Sequence, residues 1–201
     1  MLGHIIGLFF NPESAWQNIK AELDKGSCNT TALVIILALI PPVCGYIGTT
    51  TIGWQFGAGD PIKLTSSSAG TISVLYFLAI IGGINAVAMA IRWMSQTYEA
   101  EVQYRYALAL SAFTATPLLL VGVFEIYPVL WINFLVGLLA LAVSVRLLYT
   151  GVPIILNINK DRGFLYSTSI LAFGLIALVA MLVITALLWG FGLGPNFTYG
   201  S

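Results

Sequence analysis

A chain of 201 residues in which 59% are apolar and only 8% are charged is not a water-soluble domain, where about a quarter of residues carry charge. Eight basic residues balance eight acidic ones, so the basic footprint that grips a phosphate backbone is missing and nucleic acid is excluded as a partner. Cys28 and Cys44 are the only cysteines; they outline neither a disulfide framework nor a thiolate metal site, and no cofactor is implied.

Residues 1–10 are apolar but too short to span a bilayer, and they lack the positive leader of a signal peptide. They are expected to stay, inserting shallowly or packing under the rest. Asn11-Pro12-Glu13 then reads as a helix start: Asn as cap, Pro at the first helical position, Glu near the positive end of the dipole. Trp16, Ile19 and Leu23 recur at helical spacing while Glu13, Gln17, Lys20 and Asp24 lie elsewhere around the helix. That pattern predicts an amphipathic anchor in the headgroup plane, with a docking surface for a soluble partner as the alternative.

Five apolar blocks follow, at roughly 32–54, 71–94, 106–126, 129–156 and 166–191. Stretches such as 32–40 are apolar at every position, which rules out the alternation of a membrane β-barrel and leaves helix as the form that satisfies its own backbone. The fold class is therefore all-α: a polytopic membrane protein of five transmembrane helices preceded by an interfacial helix. The implied division is a cytoplasmic segment 1–30, a transmembrane domain 31–192 and an outer-side tail 193–201.

Orientation comes from the basic residues, which concentrate in cytoplasmic loops. Lys20, Lys25, Arg92, Arg105, Lys160 and Arg162 fall on one face of the alternating spans, and Lys63 stands alone on the other. The N-terminus is expected in the cytoplasm and the C-terminus outside, in a bacterial inner membrane.

Within the second block, Gly82, Ala86 and Ala90 repeat every four residues beside Ala79, Gly83 and Val87, a strip of the kind on which membrane helices approach closely. Pro41, Pro42 and Pro117 lie inside spans and Pro153 near the end of the fourth; these are the expected bends, with Thr114 and Thr116 placed to satisfy freed carbonyls.

The candidate functional polar residues are Arg146, Asn85 and Asn133. Arg146 lies roughly 26 Å along the fourth span at about 1.5 Å per residue, near the cytoplasmic boundary. There it is expected to snorkel or to pair with Glu99, Glu101 or Asp161, a lipid or substrate role being the alternative. Asn85 and Asn133 are placed to bond across helices. Glu125, at the outer end of the third span, is expected to be solvated, with Arg92 its inner counterpart. The single histidine, His4, has no carboxylate or cysteine beside it in the sequence, and no zinc, phosphate-loop or dinucleotide motif is present. Enzymatic activity is not expected.

Three local patterns resemble the bacterial branch of the Yip1 family. They are Asn11-Pro12 with Trp16 and Ile19, Tyr106-Ala107-Leu108 leading to Thr116-Pro117, and Leu148-Tyr149-Thr150-Gly151-Val152-Pro153. The resemblance implies five spans with a cytoplasmic N-terminus. In eukaryotic members it goes with Rab GTPases, vesicle trafficking and mutual association in internal membranes; their Asp-Leu-Tyr-Gly-Pro signature is absent here, and the Rab association is not carried over. Two functions follow as expectations. One is a scaffold or adaptor in membrane organisation or trafficking, with the lipid bilayer, anionic lipid or another membrane protein as partner. The other is a small transporter or channel whose path Asn85, Asn133 and Arg146 would line. Oligomeric state is not encoded in any pattern here.

Overall fold

A computed structural model describes residues 2–54, 60–98 and 102–198. Seven helices carry almost all of it: α1 (Leu2–Phe10), α2 (Pro12–Asp24), α3 (Thr30–Ile47), α4 (Ser66–Met94), α5 (Tyr104–Val121), α6 (Leu130–Ile155) and α7 (Lys160–Leu188). Helix α3 runs on through a π-helical turn, Gly48–Ile52, α5 through a 3-10 turn, Gly122–Ile126, and α7 through a π-helical turn, Trp189–Leu193. Helices α3 to α7 with these extensions are the five spans.

The predicted cap at Asn11 is present: its side chain accepts from the Ser14 amide, with Pro12 in the first turn. Asn29 and Asn159 cap α3 and α7 in the same way, accepting from the amides of Ala32 and Arg162. Pro41 and Pro42 lie inside α3, Pro117 inside α5 and Pro153 inside α6. Beyond the α3 prolines, the hydroxyls of Thr49, Thr50 and Thr51 donate to the carbonyls of Gly45, Tyr46 and Ile47, keeping backbone acceptors paired where lipid offers no donor. Thr116 donates to the Ala112 carbonyl at 3.1 Å. Thr114, the other candidate, has a buried hydroxyl with no partner among the described residues.

Helix α5 is the central post, packed on α3, α4 and α6, while α7 leans on α6 and α4. Phe113, Leu110, Ala107 and Ala109 of α5 are fully buried. The small-residue strip proposed for α4 is displaced. Gly82 is exposed and a Cβ there would meet nothing within 4 Å; the buried stripe instead passes through Ile84, Ala88 and Ile91, with Ala90 beside it. Four-residue spacing identified the kind of face but not its angle, because α4 is apolar on every side and lipid accepts any of them.

The amphipathic helix is also placed differently from expectation. Trp16 and Ile19 are 0% exposed and Leu23 3%, but what covers them is protein. Helix α2 packs against α6 and touches α5. Trp16 meets Phe113 edge-on at 6.1 Å and lies over Gly151, where a Cβ would stand 2.6 Å from the indole Cε2. Only glycine leaves this slot open. The large apolar residues that α1 and α2 turn outward are Ile6, Phe9 and Phe10, all on α1. His4, on α1, is bonded to Glu22 of α2 at 2.8 Å.

At the opposite end, two short strands that no periodicity announced, β1 (Lys63–Leu64) and β2 (Phe197–Thr198), pair antiparallel. The Ser68 hydroxyl donates to the Gly194 carbonyl and accepts from the Asn196 amide, which ties the tail to the first turn of α4.

Candidate functional site

The three singled-out polar residues do not converge. Asn85 of α4 donates to the Ile81 carbonyl at 2.7 Å and accepts from the Tyr104 hydroxyl of α5. It bonds across helices, and its amide is thereby consumed. Ser111 of α5 donates to the Ile84 carbonyl at 2.9 Å, and the Tyr166 hydroxyl of α7 donates to the Ile91 carbonyl. Together these form a polar seam that fixes α4 against α5 and α7. Arg146 is exposed on α6, and among the described residues no acidic group pairs with it. Glu99 and Glu101 lie outside the described residues.

Asn133 of α6 bonds locally rather than across helices, donating to the Tyr127 carbonyl at 3.2 Å. Its Oδ1 is buried and unpartnered. Asn133 lines a cavity of about 450 Å³ that also takes in Thr49, Tyr76, Glu125, Trp54 and Trp189, a volume in the usual range for a small-molecule site.

Glu125 is the residue that sequence reasoning misplaced. The 3-10 turn after α5 curls its side chain back over α3, where it is half-buried rather than solvated. The Tyr76 hydroxyl donates to Oε1 at 3.0 Å. The carboxylate lies so close to the α3 backbone that a Cβ on Gly45 would stand 2.8 Å from Oε2, and Gly48 leaves room for the Glu125 carbonyl in the same way. The sequence held a signal for this contact: Gly45 and Gly48 one turn apart after Pro41-Pro42, a bare patch on an otherwise bulky helix.

A second cavity, about 290 Å³ and walled by α4 to α7, is apolar apart from the Ser111, Thr114 and Ser144 hydroxyls, of which Thr114 and Ser144 lack partners among the described residues. Among the described residues no group of three or more histidine, cysteine or acidic side chains is placed to hold a metal ion.

At the end of the bundle that carries α2, the Tyr106 hydroxyl donates to Asp24 at 2.6 Å, and Arg105 lies 4.9 Å from the centre of the Tyr106 ring. Lys20 of α2 reaches Asn157 after α6 at 3.5 Å. These contacts, with the Trp16 slot, hold α2 at one angle with Glu13, Gln17, Asn18, Asp24 and Lys25 exposed.

A family model described as the Yip1 domain matches residues 6–181. Two Escherichia coli proteins, each named inner membrane protein YohC, from strain K12 and from O6:H1 strain CFT073, are each 37% identical over 191 residues. The match covers 95% of this chain and 98% of theirs. No solved structure matches.

Proposed function

This chain belongs to the Yip1 domain family, and on that premise we propose that it is a non-enzymatic scaffold or adaptor of the bacterial inner membrane. In this reading residues 1–30 form a cytoplasmic unit, 31–192 the transmembrane domain and 193–201 a tail on the outer side. The observation that carries it is the docking of α2. A helix whose apolar stripe is seated in the bundle through Trp16 and Gly151 presents its polar side as a fixed surface, and a surface held at one angle is what a partner protein requires. The outward Ile6, Phe9 and Phe10 of α1 provide the contact with lipid.

The transporter reading has less support. A conduit needs polar groups lining water, and the Asn85 amide is occupied between α4 and α5 while Arg146 points away from the bundle.

The test is site-specific photo-crosslinking from position 17 in native membranes. Discrete protein adducts are expected, and Trp16→Ala, which unseats the helix, should abolish them. Absence of adducts, or a pattern indifferent to Trp16→Ala, would sink the scaffold reading. Orientation is checked separately: a cysteine at Asn159 should resist an impermeant maleimide in intact cells.

A further inference from the structure

The cavity between α3, α4 and the Glu125 turn contains an imbalance that the scaffold reading does not use. Apart from Ser73 and the two indoles, its polar wall consists of acceptors whose own protons are committed elsewhere. The Tyr76 hydroxyl donates to Glu125, the Thr49 hydroxyl to the Gly45 carbonyl at 2.7 Å, and the Asn133 amide nitrogen to the Tyr127 carbonyl. The lining residues thus offer a carboxylate with a single donor among the described residues, the remaining lone pairs of the Thr49 and Tyr76 hydroxyls, the Ser73 hydroxyl, and Asn133, whose buried Oδ1 has no donor among the described residues. Among the described residues no lysine or arginine lines the space.

A carboxylate in so apolar a setting requires a counter-charge when ionised, and a buried amide oxygen left without a donor is costly. One chemical group answers both demands: a cation that also donates several hydrogen bonds. Trp54 and Trp189 line the same space, and indole faces attract cations. We propose that this cavity is a binding site for a primary ammonium group, with Glu125 as counter-ion and Asn133 Oδ1 and the Thr49 and Tyr76 oxygens as acceptors. A quaternary ammonium satisfies the charge but donates nothing, and an alcohol donates without charge; the site selects against both.

The amine has two chemical sources, a free solute or an aminolipid headgroup. Tyr76 and Trp189 are partly exposed on the bundle surface, 38% and 49%, so the wall of the site is accessible from the lipid side. The end of the bundle concerned is the one that the basic-residue asymmetry assigns to the outside.

The full chain in detergent is titrated with hexylamine, with its N-trimethylated analogue and with hexanol, and tryptophan emission is followed. Hexylamine is expected to saturate with a Kd at least tenfold below either of the others. In a second arm, native mass spectrometry of protein taken from mixed vesicles compares retention of phosphatidylethanolamine with phosphatidylcholine. Preference in the lipid arm alone assigns the headgroup, preference in the solute arm alone assigns a free amine, and preference in both assigns the ammonium group irrespective of carrier. Glu125→Gln keeps the shape of the side chain and should erase the preference. The proposal is overturned if neither arm distinguishes the primary amine, or if folded Glu125→Gln retains the preference. Should that variant not fold, the ligand comparison on the unaltered chain decides alone.

Discussion

Spans α5 and α7 are both apolar helices, and their sequences rank them in the reverse of the order that packing does. The most apolar stretch of α7 has mean hydropathy 2.9 and is 6% buried within the protein; that of α5 has 2.0 and is 56% buried. In water the more apolar helix would take the centre. In a bilayer lipid tails are as apolar as leucine, so burial is driven by close packing and hydrogen bonds, and the helix that can supply Tyr104, Ser111 and small residues such as Ala109 and Ala112 occupies the middle. The lipid-facing helix is free to be merely greasy.

That comparison is most exposed to test at Phe113. Truncation to alanine in α5 removes a fully buried ring that also contacts Trp16, and a loss of about 2 to 3 kcal/mol is expected in a detergent unfolding assay. This is below the 3 to 5 kcal/mol seen for Phe→Ala in aqueous cores, because the transfer share of that cost vanishes when the reference phase is lipid. A loss under about 0.5 kcal/mol would break the idea that α5 is the packed post.

Overpacking gives the next largest effect. Gly151→Leu fills the Trp16 slot and Ala88→Leu intrudes on the buried stripe of α4, each expected to cost about 1 to 3 kcal/mol, whereas Gly82→Leu, facing open space, is expected to cost nearly nothing. Equal thermal shifts for Ala88→Leu and Gly82→Leu would show that the α4 face is misassigned. Smaller again is Asn85→Leu, which removes the bond to Tyr104; interhelical hydrogen bonds in membranes average about 0.6 kcal/mol. At the bottom stands Ile176→Ala on α7, 68% exposed, for which a midpoint shift within about 0.5 kcal/mol of zero is expected.

Five spans were legible in the sequence because length and hydropathy are properties of a single segment, and the bilayer fixes both. Their angular placement was not. Gly82-Ala86-Ala90 and Ile84-Ala88-Ile91 are equally good helical stripes, and which one meets protein depends on what the neighbouring helix offers. The same limit applies to Trp16: period 3.6 reports that one side is apolar, not whether lipid or Gly151 covers it. Glu125 escaped for another reason. A position counted from the start of a span gives its depth only while the helix continues, and the change to a 3-10 turn at Gly122 redirects the side chain onto α3. Pairing of β1 with β2 joins segments of two residues each, too short for any alternation to register.

The Trp16 seat has a consequence in time. Trp16 is made early and Gly151 follows 135 positions later, so at about 5 to 20 residues per second the indole waits roughly 7 to 27 s for its partner. During that interval three spans are completed, Phe113 of α5 among them, while the α6 wall of the seat is still missing. The α6 contact of α2 is therefore the last part of the Trp16 seat to become available. The seat is complete, and the polar face of α2 held at its final angle, only when the fourth span has arrived.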